Sequence, residues 1–353
     1  MTALDEVRAA LAGEVALGVD RAELVGWERE AALAVPTSGS TGDAKEVLLS
    51  ASALTASAEL THDRLGGPGS WLLALPTGHI AGMQVLVRSV VAGTEPVVLD
   101  MASGFRAAGF AAASADLLDA PGRHYTSLVP TQLARLVAGD GPGLSALRRY
   151  DGVLIGGAAT PPALLEKARG LGVEVVTTYG MSETSGGCVY DGTALDGVRA
   201  RIAEDGRVEL SGPVLALGYR GGERFGEWFR TGDLGRFDGD LLEVLGRADD
   251  VIVSGGENVP PVLVERVLAA QTGVLEACVV GLPDQEWGQV VAAAVVIAPG
   301  AEPPDPNRLI AAVRESAGRV SAPKRVVFLP ALPLRGPGKV DRVEVAKLLA
   351  SIG

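Results

Sequence analysis

The chain has 353 residues, a length that predicts about two or three domains and excludes a single small module. Hydrophobic residues make up 47% and charged residues 21% of the chain, which is typical of a globular protein and excludes wholesale disorder. The 31 basic residues against 43 acidic ones give a net charge of −12, which argues against a general nucleic-acid or membrane-surface role.

The cysteines and the apolar runs indicate the cellular compartment of the protein. Cys188 and Cys278 are far apart and form no CxxC pair, so neither a disulfide framework nor a zinc knuckle is predicted. The acidic N-terminus is unlike a signal peptide, and the longest apolar run, residues 290–298, is about half of a membrane span. We expect a cytoplasmic protein with no membrane span and no nucleic-acid partner, and a homo-oligomer stays open.

Short β-rich runs alternate with helical patterns between residues 71 and 178. Strands are predicted at residues 71–75, 96–99, 124–129, 152–155 and 173–177, and helices at residues 85–91, 107–118 and around 133–137. A further helix is predicted with Thr160 as its N-cap and Pro161 as its first residue. This alternation predicts parallel βαβ units with helices packed over the sheet.

Ligands bind beyond the carboxyl ends of the strands in open α/β sheets. Four polar or glycine-rich loops occupy that position, at residues 76–79, 130–132, 156–160 and 179–183. We therefore expect these loops to converge on one edge of the sheet and to form the functional site there.

The pattern changes to short strands and turns from about Arg201. Strands are predicted at residues 208–210, 228–229 and 241–245, so residues from about 200 to 248 read as a β-rich subdomain. A compact α+β stretch follows, with helices after Pro260 and at residues 307–317, and strands at residues 277–280 and 290–296. The predicted fold is α/β, with a large N-terminal domain, a domain boundary at Asp249 and a small C-terminal α+β domain.

Residues 37–45, TSGSTGDAK, form the first chemical motif. Small hydroxyl residues and glycines leave backbone N–H groups free to form an anion-binding nest, and Lys45 closes the segment. The spacing differs from the GxxxxGK[ST] pattern of a Walker A loop. The alternative is a hairpin turn. Lys45 is one of only five lysines, which favours the phosphate-binding interpretation.

The second motif is YGMSET, at residues 179–184. Tyr179 offers a flat face for a base, Ser182 a hydroxyl for a phosphate, and Glu183 a hard oxygen ligand for Mg²⁺. The competing interpretation is the GxSxG nucleophile elbow of a hydrolase, which requires glycine where this chain has Thr184.

Two further segments carry polar side chains on glycine-rich turns. RTGDLG, at residues 230–235, and GRAD, at residues 246–249, supply Asp233 and Arg247, which together suit the hydroxyls of a ribose. The segment PLRGPGKVDR places Lys339 on a loop near the C-terminus. Taken alone, each of these segments is typical of a surface turn.

The order of the motifs is more specific than any one of them. TSGSTGDAK, GGAAT, YGMSET, RTGDLG, GRADDVIVSGGENVPP and GPGKVDR occur in the order seen in the adenylate-forming superfamily of acyl-CoA synthetases, adenylation domains and luciferases. The resemblance covers nearly the whole chain from about Val35. Within the superfamily, the short length and the segments YGMSETSGGCVYDG and PTQLARL most resemble the o-succinylbenzoate–CoA ligases of menaquinone biosynthesis.

The resemblance implies a set of ATP- and AMP-binding residues. They bind the phosphates, sandwich adenine or hold the ribose, and they are Thr37, Ser38, Gly39, Ser40, Thr41, Gly42, Lys45, Gly156, Gly157, Ala158, Tyr179, Gly180, Met181, Asp233 and Arg247. One departure from the family pattern is Ala44, where proline is common in the phosphate loop. Alanine removes no ligand from that loop.

The resemblance also implies the catalytic residues. Ser182 would contact the α-phosphate, Glu183 would hold Mg²⁺, and Lys339 would be the lysine of the adenylation step. His79 would line the acyl pocket. These groups position and neutralise charge, so an acyl-adenylate forms from the acid and ATP with no protein nucleophile.

A domain movement would separate the two half-reactions. The N-terminal domain, residues 1–248, would be shortened at its start, because the phosphate loop begins at Thr37. Asp249 would be the hinge of a mobile C-terminal domain, residues 249–353. A loop of that domain would help to form the CoA tunnel in the second step, and its residues are Ser254, Gly255, Gly256 and Glu257.

The acid implied by the resemblance carries two carboxylates, so one is recognised without being activated. The acyl-pocket candidates near the strand ends are His79, Ser127, Thr131, Gln132, Ser185 and Arg199. An arginine suits bidentate carboxylate recognition, although Arg199 fits a surface salt bridge equally well.

The expected function is ATP- and Mg²⁺-dependent ligation of o-succinylbenzoate to CoA, with release of AMP and pyrophosphate. Three alternatives stay open. They are a CoA ligase for another aromatic or medium-sized acid, a domain that loads a carrier protein, and a nucleotide-binding homologue that has lost catalysis.

Overall fold

A computed structural model describes residues 2–37, 45–298, 300–335 and 339–352, with the side chains of Arg335 and Lys339 outside that description. Up to the end of the parallel strands, the elements are α1 (Ala3–Leu11), β1 (Ala31–Pro36), β2 (Glu46–Ser50), α2 (Ala51–Leu65), β3 (Ser70–Leu73), α3 (Ile80–Ala92), β4 (Val97–Val98), α4 (Ala107–Asp119), β5 (His124–Leu128), α5 (Pro130–Leu136), α6 (Pro142–Leu147), β6 (Gly152–Ile155), α7 (Pro162–Gly170) and β7 (Val175–Met181). Single-turn 3₁₀ helices lie at Arg21–Glu23, Gly26–Glu30, Ser182–Thr184 and Ala248–Asp250.

The β-rich part comprises β8 (Gly186–Tyr190), β9 (Thr193–Ala194), β10 (Arg199–Ile202), β11 (Arg207–Ser211), β12 (Gly218–Tyr219), β13 (Phe229–Asp238) and β14 (Leu241–Arg247). The C-terminal elements are β15 (Ile252–Ser254), β16 (Glu257–Val259), α8 (Pro261–Ala269), β17 (Val274–Asp284), β18 (Gly288–Ile297), α9 (Pro306–Ala317), β19 (Arg325–Leu329), β20 (Leu334–Arg335), β21 (Lys339–Val340) and α10 (Arg342–Ser351).

The predicted parallel sheet is confirmed. Its order is β4-β3-β5-β6-β7-β8-β9, with β4 to β7 parallel and β8 and β9 added antiparallel at one edge. Strand alternation gives the sheet two apolar faces, because successive side chains point to opposite sides. Trp71 and Leu73 of β3 pack with α1, α2 and α3, whereas Leu72 packs with α4, α5 and α6. The predicted α/β architecture therefore rests on a core on each face of the sheet.

Helix α7 begins one residue later than the sequence predicts. Pro162 is its first residue and Pro161 is the N-cap, with non-helical φ and ψ of −56° and 131°. A residue that precedes proline avoids helical angles, so the second proline pushes Pro161, and with it Thr160, out of the helix. The predicted N-cap at Thr160 was wrong.

The later residues form smaller sheets. β1 and β2 form a hairpin that β12 extends, and β10-β11-β13-β14 form an antiparallel sheet. In the C-terminal part, β15 to β19 form a sheet with α8 and α9 packed on one face and α10 on the other. Both cores of that part contain only residues from Ile252 onward, and the boundary at Asp249 stays a prediction.

The described helices were compared with the length and composition of a membrane-spanning helix. None of the helices in the described ranges combines the length and the apolar character that a bilayer crossing requires.

Candidate active site

The loops predicted to converge do lie at one edge of the sheet. They follow β3, β5, β6 and β7, which run parallel in adjacent positions. Their carboxyl ends therefore share one edge, where open α/β sheets bind ligands. Gly157 and Ala158 are exposed on this edge.

Two glycines at this edge are required by close packing. A Cβ on Gly156 would lie 2.3 Å from Oγ1 of Thr178, and one on Gly180 would lie 2.1 Å from the carbonyl oxygen of Gly186. Larger residues would push β6, β7 and β8 apart. These two glycines, which the resemblance assigned to ATP or AMP binding, thus also allow the strands to approach, while their roles toward a nucleotide stay predictions.

Tyr179, Asp233 and Arg247 form one hydrogen-bonded group. The Tyr179 hydroxyl donates to Oδ2 of Asp233 at 2.8 Å, and Nε of Arg247 lies 3.8 Å from Oδ1. Asp233 and Arg247 are cross-strand partners of β13 and β14, which explains their proximity. Burial raises the pKa of Asp233 above its usual range. Since a carboxylate accepts several hydrogen bonds, Asp233 retains acceptor capacity for ribose hydroxyls.

A second polar group contains Glu183, Tyr219 and Lys45. The Tyr219 hydroxyl donates to Oε1 of Glu183 at 2.8 Å, and Nζ of Lys45 lies 4.9 Å from the centroid of the Tyr219 ring. Burial and the Glu183 charge raise the pKa of Tyr219. The sequence analysis missed Tyr219, because nothing in the segment LALGYR distinguishes it from a buried strand residue.

The chemistry of Glu183 fits Mg²⁺ bound together with ATP. Among the described residues, no group of three or more histidine, cysteine or acidic side chains forms a metal cage. Mg²⁺ commonly takes one or two carboxylates and completes its shell with phosphate oxygens and water. The half-buried Glu183 at the sheet edge suits that arrangement.

The predicted phosphate loop connects β1 to β2. Pro36 pairs with Glu46, and the Thr37 N–H and hydroxyl both donate to the carbonyl oxygen of Lys45, at 2.7 and 3.1 Å. The hairpin alternative is therefore correct for the flanking residues and is compatible with a phosphate-binding tip. The predicted ligands outside the described residues are Ser38, Gly39, Ser40, Thr41 and Gly42.

The YGMSET segment ends in a single 3₁₀ turn at Ser182–Thr184. The N–H of Ser185 donates to the carbonyl oxygen of Ser182 at 3.1 Å, and the N–H of Ala216 donates to that of Glu183 at 2.9 Å. These bonds fix the backbone, while Met181, Ser182 and Glu183 keep half-buried side chains at the edge.

Three acyl-pocket candidates bind other groups of the protein, and their roles toward an acid stay predictions. Ser185 is fully buried and its hydroxyl donates to the carbonyl oxygen of Val214 at 2.8 Å. Gln132 is buried, donates to the carbonyl oxygen of Ala74 at 2.9 Å and accepts from the Val129 N–H.

Arg199 is the third of these candidates. It is exposed, pairs with Glu227 at 2.6 Å and lies 5.0 Å from the Trp228 ring centroid. The salt-bridge alternative that the sequence left open is the observed one. Ser185 and Gln132 hold backbone groups and Arg199 holds a surface carboxylate, which argues against a role of these three residues in binding the acid.

The other acyl candidates keep positions at the edge. His79 is exposed at the N-cap of α3, and Thr131 is half-buried in the first turn of α5. Ser127 of β5 is buried, and its hydroxyl accepts from Nη1 of Arg88 at 3.4 Å.

Arg88 is the principal residue that the sequence analysis missed. It is 3% exposed, and among the described residues no carboxylate lies within salt-bridge distance and Nε has no partner. Its neighbours are Ser127, the Tyr190 hydroxyl at 3.4 Å and the Trp71 ring at 5.0 Å. Burial lowers its pKa. A lone arginine inside the apolar run VLVRSVV was the available signal.

Gln84, one helical turn before Arg88, is a second buried polar residue with unpaired atoms. It is fully buried in α3, and its amide nitrogen and oxygen both lack a partner in the described structure. Residues four apart lie on the same helix face, so Gln84 and Arg88 present unsatisfied polar atoms together. Buried polar groups are rarely left unpaired, and a ligand with matching groups would satisfy them.

The C-terminal candidates lie on two hairpins. Gly255 and Gly256, at φ of 58° and 83°, form the turn between β15 and β16, and a Cβ on Gly255 would lie 2.7 Å from the Trp287 ring. Ser254 is buried and Glu257 exposed. The backbone of Lys339 pairs with Arg335, and its side chain lies outside the described part.

The predicted hinge residue lies in the 3₁₀ turn Ala248–Asp250. Asp249 is exposed, and its carboxylate accepts from Nη2 of Arg247 at 3.3 Å. The turn joins β14 of the β-rich part to β15 of the C-terminal sheet, so the predicted hinge stands between two separately built cores.

Comparison with known families decides which protein class has this site. The model of the AMP-binding enzyme family matches residues 9–217, and that of the AMP-binding enzyme C-terminal domain matches residues 263–339. The chain belongs to the AMP-binding enzyme family. The adenylate-forming resemblance seen in the motifs is thereby confirmed.

Two relatives of this AMP-binding enzyme carry the name of the same ligase. A probable 2-succinylbenzoate–CoA ligase of Mycobacterium tuberculosis is 48% identical over 329 residues, covering 91% of this chain and 85% of the relative. A 2-succinylbenzoate–CoA ligase of Geobacillus kaustophilus is 34% identical, covering 91% and 70%.

Solved structures are similar over the same extent. The o-succinylbenzoate CoA synthetase of Bacillus subtilis, in complex with its acyl-adenylate intermediate, is 29% identical with a TM-score of 0.76, covering 89% of this chain and 69% of that one. The amide bond synthetase McbA of Marinactinospora thermotolerans is 28% identical with a TM-score of 0.79, covering 90% and 70%.

Proposed function

We propose that this AMP-binding enzyme is a 2-succinylbenzoate–CoA ligase. It adenylates the acid with ATP and transfers the acyl group to CoA, releasing pyrophosphate and then AMP. The observation that carries the substrate assignment is the buried Arg88, which has no carboxylate partner in the described structure and lies 3.4 Å from Ser127. The 48% identity to the mycobacterial relative supports the same acid.

The proposed substrate has two carboxylates, of which one is activated and the other is recognised. A buried guanidinium is costly without an anion, and a carboxylate that accepts two of its N–H groups removes that cost. Gln84 lies on the same face of α3 and can donate to the same ligand. A monocarboxylic acid would leave Arg88 unpaired.

In the adenylation step, one substrate carboxylate oxygen attacks the α-phosphorus of ATP, and the bond to the pyrophosphate oxygen breaks. We assign adenine to Tyr179 and the glycine loop, the ribose to Asp233 and Arg247, and the α-phosphate to Ser182. Lys339 bridges the attacking carboxylate and the α-phosphate. These groups act by positioning and by stabilising developing negative charge.

Glu183 would hold Mg²⁺, which neutralises phosphate charge when MgATP is bound. The second step is attack of the CoA sulfur on the acyl carbon, with AMP as the leaving group. We assign the opening of the thiol channel to a rotation at Asp249 that exchanges Lys339 for the loop from Ser254 to Glu257. ATP and CoA are intracellular substrates, so we place the reaction in the cytoplasm.

The test is CoA-thioester formation by the purified chain with 2-succinylbenzoate, ATP, Mg²⁺ and CoA. Benzoate and 4-oxo-4-phenylbutanoate serve as controls that each keep only one of the two carboxylates of the acid. The proposal requires a much higher kcat/KM for 2-succinylbenzoate than for either control. A better acid in a wider panel would make the chain a ligase for that acid, and absence of pyrophosphate exchange with every acid would make it a silent homologue.

A further inference from the structure

Lys339 lies three residues before the start of helix α10, and hydrogen bonds fix the backbone at that start. It is followed by Val340, by Asp341 and then by Arg342, the first residue of α10. The N–H of Asp341 donates to the carbonyl oxygen of Pro333 at 2.8 Å, and its carboxylate caps α10 at the N–H of Glu344. The backbone that leaves Lys339 is therefore fixed within two residues.

Arg342 connects this helix start to three other parts of the molecule. Its two terminal nitrogens pair with both carboxylate oxygens of Glu265 in α8, with Nη2 to Oε2 at 3.0 Å. Nη1 also donates to the carbonyl oxygen of Val279 at 2.9 Å. Nε lies 3.4 Å from Oδ2 of Asp250, the residue after the predicted hinge.

These contacts use the geometry of an arginine as well as its charge. The planar fork satisfies both oxygens of Glu265 while Nε faces a second carboxylate, which the single ammonium of a lysine does not reproduce. The side chains of Arg342 and Glu265 are 26% and 16% exposed, so solvent screens this pair less than a surface pair.

We propose that Arg342 is the positioning residue for Lys339. Its guanidinium holds the end of the β20–β21 hairpin against α8 and against the segment around Asp250, so the hairpin turns with the hinge as one unit. The inference rests on the proposed role of Lys339 in adenylation, and it does not depend on which acid is the substrate.

A merely structural role makes a different prediction. If Arg342 only stabilised the C-terminal part, its loss would slow both half-reactions equally. A positioning role lowers adenylation alone, because thioester formation from a supplied acyl-adenylate does not use Lys339. A misplacement of about 1 Å is sufficient to slow a reaction about 10²-fold.

The test compares Arg342→Lys with Arg325→Lys. Arg325 donates to the carbonyl oxygen of Leu349 at 2.7 Å, so it is a matched arginine at the other end of α10. Hydrogen exchange of amides 339–341, measured without substrate, is expected to accelerate in Arg342→Lys and to stay at the wild-type rate in Arg325→Lys. Equal exchange in both variants would overturn the positioning role.

Kinetics of the full-length enzyme complete the test. Arg342→Lys is expected to lower kcat for pyrophosphate release about 10²-fold, with unchanged KM for ATP and unchanged thioester formation from supplied acyl-adenylate. In a Lys339→Ala background the same substitution is expected to add no further loss. A parallel fall of both half-reactions, or an additional loss in that background, would contradict the proposal. An acid preference other than 2-succinylbenzoate would contradict only the proposed function.

Discussion

Two buried or half-buried arginines in this molecule have opposite surroundings. Arg342 of the C-terminal part pairs with Glu265 and lies beside Asp250. Arg88 of the large sheet is more deeply buried, at 3% exposure, and its contacts are the Ser127 and Tyr190 hydroxyls and the Trp71 ring. The first charge is neutralised within the fold, whereas the described structure holds no carboxylate for the second.

This difference separates a stabilising arginine from a ligand-binding one. A buried ion pair costs little net free energy while both partners are present, and much when one is removed. A buried cation without a counterion is already unfavourable, and a fold that retains one gains by binding an anion. Substitutions at the two arginines should therefore have opposite effects on stability and on substrate binding.

The largest effect is expected for Arg342→Met. The substitution removes two of the three hydrogen bonds that Glu265 accepts in a poorly solvated site, and the free energy of unfolding should fall by about 3–5 kcal/mol. Denaturant titration followed by circular dichroism measures it. Arg88→Met is the matched control and should not lower stability, because it removes an unpaired charge. An equal loss in both variants would abolish the distinction.

Lys339→Ala is expected to have the next largest effect. Removing a cation that stabilises the transition state should slow ATP–pyrophosphate exchange by about 10²–10³-fold. Thioester formation from a supplied acyl-adenylate should survive, because that step does not use this lysine. Loss of both half-reactions to the same extent would remove Lys339 from the adenylation step.

Arg88→Met should raise KM for 2-succinylbenzoate while KM for ATP stays constant. A lost hydrogen bond to a charged group is worth about 1.5–3 kcal/mol, which corresponds to about 10–150-fold. Initial rates of pyrophosphate release at varied acid and fixed ATP give both constants. An unchanged KM for the acid would refute the assignment of the second carboxylate to Arg88.

Asp249→Pro tests the connection between the two parts. Proline fixes φ near −65°, so we expect a rotation at this residue to be blocked, adenylation to be spared and CoA transfer to fall by at least about tenfold. The readout is single-turnover acyl-adenylate formation followed by addition of CoA. A normal second step would contradict the hinge assignment.

The smallest effect is expected for Arg199→Ala. Exposed ion pairs such as Arg199–Glu227 contribute about 0–1 kcal/mol, and the affinity for the acid should be unchanged. Equilibrium binding of 2-succinylbenzoate would check it. A loss comparable to that of Arg88→Met would return Arg199 to the acyl pocket.

Much of the site was predictable because motifs are local. Tyr179, Ser182 and Glu183 are adjacent in the chain and follow a parallel strand, so their common edge follows from the βαβ pattern. Ser185 and Gln132 fit the same pattern, yet their polar atoms bind backbone groups of distant segments. Sequence alone does not reveal which polar residue at a strand end is already occupied.

By itself, the sequence determined the alternation of strands and helices, the edge that collects the loops and the family to which the chain belongs. Those features depend on periodicity and spacing, which are properties of neighbouring residues. Tertiary structure decided that Tyr179 donates to Asp233, that Tyr219 donates to Glu183 and that Arg88 lacks a carboxylate partner in the described ranges. These side chains and their partners lie far apart in the sequence, so local patterns do not reveal the pairs. Burial in a medium of low dielectric constant increases both the free energy gained from a hydrogen bond and the cost of leaving a polar group unpaired.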